Sequence, residues 1–179
     1  MPDRSAVSDA QLLEYRALLL RRLAQQAEAF TALTAALPAA EWQTRRAADG
    51  TPLDQLFMHV RDAEGMAYWP RLQRILTEDG PHLDPFPHHR WSLEQPRPEE
   101  TLAAVLASFL QTRAEVLTRL QTLDPAGWSR LGFHPPTGPR TVQWWVERLY
   151  THARNHLINL QEAAAPRIAR PDPYSQELG

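Results

Sequence analysis

Leu13, Leu20, Leu23, Ala27, Phe30, Leu33 and Leu37 recur at helical spacing near the start of the chain, with polar residues between them. The pattern predicts an amphipathic helix with one buried face. Ser8 and Asp9 offer capping oxygens before it, and Pro38 ends it. A polar connection containing Trp42 leads to Thr51 and Pro52, a capping residue followed by a first-turn proline. The second predicted helix runs from there to about Asp79 and Gly80, with Leu53, Leu56, Phe57, Val60, Ala63, Ala67 and Leu72 at its apolar positions. Pro70 falls inside this pattern and predicts a kink.

From Gly80 to Pro98 the chain reads GPHLDPFPHHRWSLEQPRP, whose five prolines forbid a helix and favour an extended path. A third helix is expected to start at Pro98, with Glu99 and Glu100 in the first turn where the helix dipole favours acids. Leu102, Leu106, Phe109, Val116, Leu120 and Leu123 form its stripe, and Asp124 with Pro125 closes it. After the irregular stretch AGWSRLGFHPPTGPR, a fourth helix is expected from Thr141 to about Glu162. Its inward stripe is Val142, Trp145, Leu149, His152, His156 and Leu160.

No stretch alternates with period two for long enough to predict a strand, and the chain carries no internal repeat. The fold class expected is therefore all-α, a four-helix bundle over residues 1–165. Residues 166–179, with Pro166, Pro171 and Pro173, are expected to form an extended tail.

Composition narrows the chemistry. The chain has 179 residues and no cysteine, which excludes disulfide frameworks, thiolate metal sites and a cysteine nucleophile. Nineteen basic residues, all arginine, face twenty-one acidic ones, and no basic block is present to neutralise a run of phosphates. Nucleic acid is thus not an expected partner. Neither a secretory h-region nor a run approaching eighteen apolar residues occurs, so a soluble, cytoplasmic protein is expected, with no membrane partner.

What remains is histidine, seven of them. His152 and His156 lie one turn apart on the inward stripe of the fourth helix, a spacing that lets two imidazoles share one ion. An HxxxH pair also occurs as two half-buried, hydrogen-bonded histidines, and a third residue is needed to choose. His59 supplies it, at the edge of the second helix's apolar stripe beside Leu56, Val60 and Ala63. An unsatisfied buried polar group costs about 1–3 kcal/mol, and a single divalent ion satisfies three imidazoles at once.

Axial arithmetic tests that grouping. His59 lies about 10 Å from the start of the second helix, and the His152/His156 pair about 12 Å from the end of the fourth. The three are level only if those helices run antiparallel. A simple up-down-up-down bundle makes them parallel and leaves the histidines about 9 Å out of step. An up-down-down-up order removes the mismatch but requires the second connection to climb the bundle. The Gly80–Pro98 segment reaches about 60 Å when extended, against about 40 Å for a helix of that length, so it suffices.

Several segments together resemble one known family. They are LxxHVxxxE (Leu56, His59, Glu64), FxxxRxxxL (Phe109, Arg113, Leu117), the stretch LDPAGWSRLGFHPPTGPRTVQWW and the final HxxxH followed by Leu157. Within that stretch Gly132, His134, Gly138 and Thr141 fill a GxHxxxGxxT-like pattern. Over roughly residues 10–163 the chain is similar to the DinB/YfiT-like superfamily of small bacterial metalloproteins. The resemblance implies an up-down-down-up bundle holding a divalent metal at one end through His59, His152 and His156. Zinc or nickel is the ion it implies first, with manganese or iron as alternatives. It also implies a metal-dependent transferase or hydrolase acting on a small-molecule substrate, most sharply an S-transferase using a low-molecular-weight thiol. The competing expectation is a non-catalytic stress-response protein whose metal site binds a ligand. Homodimerisation is left open.

Other motifs are missing or secondary. No Glu-x-x-His occurs, which removes a di-metal carboxylate bundle, and HARNH lacks the glutamate of a zincin. GxSxG and GxxxxGK are also absent. His82, His88 and His89 are expected to be solvated loop residues, and His134 to shape its turn. Arg113 falls about 12 Å along the axis from His59, too far to be a ligand. Glu64 is either an orienting partner for an imidazole or a surface bystander. Phe57, Trp69, Trp144, Trp145 and Tyr150 are expected to be core.

Overall fold

The computed structural model describes residues 8–85 and 99–165. The 28-residue helix α1 (Asp9–Ala36) opens on Ser8, whose hydroxyl accepts from the Gln11 backbone N–H while the Gln11 side chain accepts from the Ser8 backbone. This reciprocal pair satisfies two donors that the first turn leaves without partners. The expected polar connection instead contains a short helix, α2 (Ala39–Thr44), and its Trp42 is fully buried.

The second long helical run has three parts: α3 (Leu53–Asp62), a π-helical turn (Ala63–Tyr68) and α4 (Trp69–Thr77). Pro70 therefore sits in the first turn of α4, where a missing N–H is tolerated. The irregularity predicted there takes the form of the wider turn before it, in which the Trp69 N–H reaches back to the Glu64 carbonyl. Residues 86–98, with His88, His89 and the predicted start at Pro98, lie outside the described residues, as does the 166–179 tail. The third long helix, α5 (Leu102–Gln121), begins later than expected because Thr101 caps it, its hydroxyl accepting from Ala104 N–H. Asp124 and Pro125 do not close α5. They open a separate short helix, α6 (Pro125–Ser129), in which the Asp124 carboxylate caps Gly127 N–H at 2.7 Å. The last helix, α7 (Val142–Ala164), is capped by Thr141.

One expectation fails outright. Between α6 and α7 the chain forms an antiparallel hairpin, β1 (Leu131–His134) with β2 (Gly138–Thr141). Strands of four residues are too short for a period of two to be read from sequence. The first residues of the crossover extend the hairpin: Leu83 N–H donates to Phe133 O and Phe133 N–H to Pro81 O.

Named contacts define the helix directions. Arg16 meets Gln143 and Gln26 meets the Tyr150 carbonyl, so α1 and α7 run the same way. Leu23 meets Arg113 while Phe30 meets Phe109, so α5 opposes α1. Glu64 pairs with Arg113 and Trp69 with Glu115, which makes the α3–α4 run parallel to α5. His59 faces His152 and Tyr68 faces Trp145, an antiparallel pair. The result is an up-down-down-up four-helix bundle. Two apolar clusters fill it, one around Leu72, Ile75, Val116 and Trp145, the other around Phe30, Phe57, Phe109 and Leu160.

Where α1 passes from one cluster to the other, a buried polar group spans three helices. Arg113 donates from Nε and Nη2 to the two oxygens of Glu64, both at 2.6 Å, and from Nη1 to Leu23 O and Gln26 Oε1. Arg113 and Glu64 are 1% and 2% exposed. Glu64 is therefore neither a partner of an imidazole nor a surface bystander: it neutralises a guanidinium inside the bundle. Phe57 and Trp145 are core as expected, whereas Trp69, Trp144 and Tyr150 are only partly buried, and Leu13 at the start of α1 is exposed. Among the described residues, no helix is long and apolar enough to cross a membrane.

Candidate metal centre

His59 lies in the second turn of α3, on the flank that meets α7, and is buried. His152 and His156 follow one another by a turn on α7 and are half-buried. One ring nitrogen from each of the three lies within 4.8 Å of the others. The Nε2 atoms of His59 and His152 are 3.1 Å apart, and the ring centroids of the three residues are separated by 4.6–5.1 Å. The three sequence-predicted candidates are thus brought together, and Arg113 is not among them.

The donor set fits a divalent ion. Two metal–imidazole bonds of about 2.0–2.1 Å at a tetrahedral angle put their nitrogens about 3.3 Å apart, close to the separation of the His59 and His152 nitrogens. A single proton between those two nitrogens satisfies one pair and leaves the third imidazole to another partner. A cation at the centre serves all three. Three neutral nitrogen ligands also leave a coordination position for water or substrate, the arrangement of an open site rather than a closed structural one.

The surroundings are polar on one side and aromatic on the other. Asp49, in the turn before α3, accepts from Thr51 N–H at 2.9 Å. That hydrogen bond chiefly holds its carboxyl below the ordinary range, and the charge of His156 adds a smaller pull in the same direction. Opposite, the Tyr68 ring lies 5.5 Å from that of His152 and 6.4 Å from that of Trp145. Burial pushes the Tyr68 hydroxyl above the ordinary phenol range, partly offset by Arg148 and Arg71.

Beyond Tyr68 lies a cavity of about 190 Å³ whose walls include Arg71, His134, Trp144, Trp145 and Arg148. His134 both shapes its turn, through Nδ1 and the Thr137 hydroxyl at 3.2 Å, and lines this cavity. Burial, and then the Arg71 guanidinium, hold its imidazole below the ordinary range. His82 is exposed as expected, with its ring against Phe133.

Sequence reasoning passed over Tyr68, Arg71 and Arg148. For Arg148 a signal existed: Trp144, Arg148, His152 and His156 follow at four-residue steps along α7 and so share one flank. For Tyr68 none did. From His59 to Tyr68 is about two and a half α-helical turns, which places them on opposite faces. The intervening π turn takes up an extra residue and swings Tyr68 by about 100° toward the α7 side. The same phase shift sets Arg71, three residues further on, over the Trp145 ring, with the guanidinium 5.2 Å from its centroid.

Fold and donor set together define a small helical bundle with an open three-histidine cluster on the seam between antiparallel helices. The chain belongs to the DinB superfamily, whose family model matches residues 22–159. In structure it is similar to YfiT from Bacillus subtilis, described as a probable metal-dependent hydrolase with an unusual four-helix bundle topology. That match has a TM-score of 0.74 at 19% identity and covers 92% of this chain and 91% of that one. No curated protein matches the chain in sequence.

Proposed function

We propose that His59, His152 and His156 hold one divalent metal ion and that the protein is a metal-dependent enzyme of transferase or hydrolase type. The observation that carries this reading is the convergence of three imidazole nitrogens within 4.8 Å, two of them 3.1 Å apart. The description of YfiT as a probable metal-dependent hydrolase supports the hydrolytic version. Zinc or nickel suits an all-imidazole donor set, and such an ion lowers the pKa of a bound water or thiol enough to yield a nucleophile near neutral pH. The sharpest version is transfer of a low-molecular-weight thiol. Its thiol arrives with a cofactor or substrate, since the chain has no cysteine.

The chain's own residues then have distinct tasks. The three histidines orient the ion, with His59 fixed by burial and the other two by one face of α7. Tyr68 screens one side of the site from bulk water, and the Asp49 carboxylate is near enough to His156 to interact with its charge.

Elemental analysis of purified protein, alone and as His59→Ala and His152→Ala, tests the ligand set. One equivalent of metal in the parent and a loss in both variants is the expected result. Protein that purifies without metal and gains no thermal stability from zinc, nickel, manganese or iron overturns it. Consumption of a small thiol with an electrophile, set beside hydrolysis of ester and amide panels, separates the transferase from the hydrolase. Absence of turnover in metal-loaded protein leaves the ligand-binding alternative.

A further inference from the structure

Arg71 presents an electrostatic problem that the bundle does not solve. Its side chain is 7% exposed, yet no carboxylate among the described residues forms an ion pair with it. Its Nη2 donates to the backbone oxygen of Asp84 at 2.7 Å, and its guanidinium lies over the Trp145 ring. The two other buried arginines of the α3–α5 region, Arg61 and Arg113, each have a carboxylate partner, Glu100 with Asp62 and Glu64 respectively. A buried cation with no carboxylate in direct contact is costly, and burial pulls the Arg71 guanidinium below the ordinary arginine range, only partly offset by Tyr68 and the more distant charge of Asp84.

The wall that Arg71 joins is largely apolar, with Pro85, Pro136 and Trp144, and most of the polar groups set in it are donors. Arg148 lines the same cavity, near enough to the Tyr68 hydroxyl to pull its pKa down, and no acidic residue among the described residues lines it. The Trp145 indole N–H, on a residue 2% exposed, has no acceptor among the described residues. Nor has His134 Nε2 a partner there. His134 Nδ1 pairs with the Thr137 hydroxyl, and in the tautomer in which that hydroxyl donates to Nδ1, Nε2 carries the proton and offers another donor. Two guanidiniums, an indole N–H, a phenol and an imidazole around about 190 Å³ suit a group that is small, anionic and rich in acceptors.

We infer that this cavity binds the oxyanion group, a carboxylate or phosphate, of a small substrate. Arg71 and Arg148 supply the charge, Trp145 and His134 the directed donors. The Tyr68 ring lines the cavity and also packs against the His152 ring, 5.5 Å between centroids. A molecule held by its anionic end here therefore extends past Tyr68 toward the histidine cluster. That last step, the assignment of the bound molecule as substrate, rests on the metal reading; the anion site itself does not.

Trp144 and Trp145 line the cavity, so intrinsic fluorescence reports its occupancy. The full-length protein is titrated with succinate, with inorganic phosphate and with neutral succinamide at constant ionic strength, and metal content is measured on the same samples. Saturable quenching by succinate, phosphate or both, with none by succinamide, is expected, and the stronger probe identifies the oxyanion. Arg71→Gln and Arg148→Gln should each weaken binding at least 10-fold. Arg148 is exposed, so its variant keeps the test decisive if Arg71→Gln fails to fold. Failure of both anions to quench, equal quenching by succinamide, or unchanged affinity in Arg148→Gln overturns the inference. Quenching in protein that takes up no metal leaves the anion site standing and removes the metal reading, whereas metal-loaded protein without quenching does the reverse.

Discussion

The ring of Tyr68 rests against that of His152, with centroids 5.5 Å apart and planes inclined at 52°. This contact joins the histidine cluster to the arginine-lined cavity, and it exists because a π turn interrupts the helix that carries both His59 and Tyr68. An α-helical path over the same residues would turn Tyr68 away from α7. π turns are recurrent where a helix must present side chains out of its regular phase.

Loss of any one of His59, His152 or His156 to alanine should weaken zinc or nickel binding by more than the about 10–100-fold that loss of an outer partner typically costs. Calorimetric or competitive-chelator titration measures this. Zinc at about one hundred times its Kd should stabilise the parent by about 2.7 kcal/mol, a rise in Tm of about 5–10 °C for a domain of this size. The rise should vanish in the variants. Because imidazole must be deprotonated to bind a metal, apparent affinity should fall as pH is lowered.

Breaking the Glu64–Arg113 pair should be the most destabilising change outside the apolar core. Glu64→Gln or Arg113→Met strands the remaining buried charge and should cost about 3–5 kcal/mol by urea denaturation. Glu64→Gln combined with Arg113→Met should cost less than the sum of the two single changes. Additive costs in this double-mutant cycle would contradict the pairing.

His134 sets a pH dependence of stability whose sign follows from its depressed pKa. Burial, and then Arg71, disfavour the imidazolium in the folded state, so the unfolded chain binds the proton more readily. Stability should therefore rise with pH from the folded value up to the unfolded value of about 6.5, and be lost as pH falls through that window. His134→Gln should flatten this part of the profile. Urea midpoints for both proteins between about pH 5 and 8 give the comparison, with the common contribution of the other histidines subtracted.

Gly132→Ala should destabilise through overpacking. A Cβ there would stand 2.6 Å from Ile75 Cγ1 and 3.0 Å from Leu83 Cδ1, both buried side chains. The expected cost is about 1–3 kcal/mol, read as a lowered Tm. Gly138→Ala acts differently. Nothing lies within 4 Å of the added atom, but φ is +74°, so the cost is backbone strain of about 1–2 kcal/mol. Gly138→Asn, which tolerates that conformation, should cost less.

The four long helices and most of their boundaries were legible because their signals are local. Ser8 before α1 and Thr141 before α7 cap the turns that follow them, and the apolar stripes of all four helices repeat with the helical period. The histidine cluster was legible for a less local reason: three axial positions and the reach of the proline-rich crossover agree only with antiparallel α3 and α7. The hairpin was not, since each strand has four residues and β2 contains Pro139. Nor was the later start of α5, where capping by Thr101 prevails over the proline and acids before it.

The sequence by itself determined the helices, their inward faces, the up-down-down-up order and the three imidazoles that meet. Each of these follows from periodicity, capping or chain length, which act within a helix or along one connection. Tertiary structure alone decided that Glu64 answers Arg113, that Arg71 is buried with no carboxylate paired to it among the described residues, and that Tyr68 faces His152. The placements of Tyr68 and Arg71 hang on a single residue of helical phase taken up between Ala63 and Tyr68. Contacts with α5 and α7, distant in the chain, stabilise that irregular turn, and no local pattern encodes them.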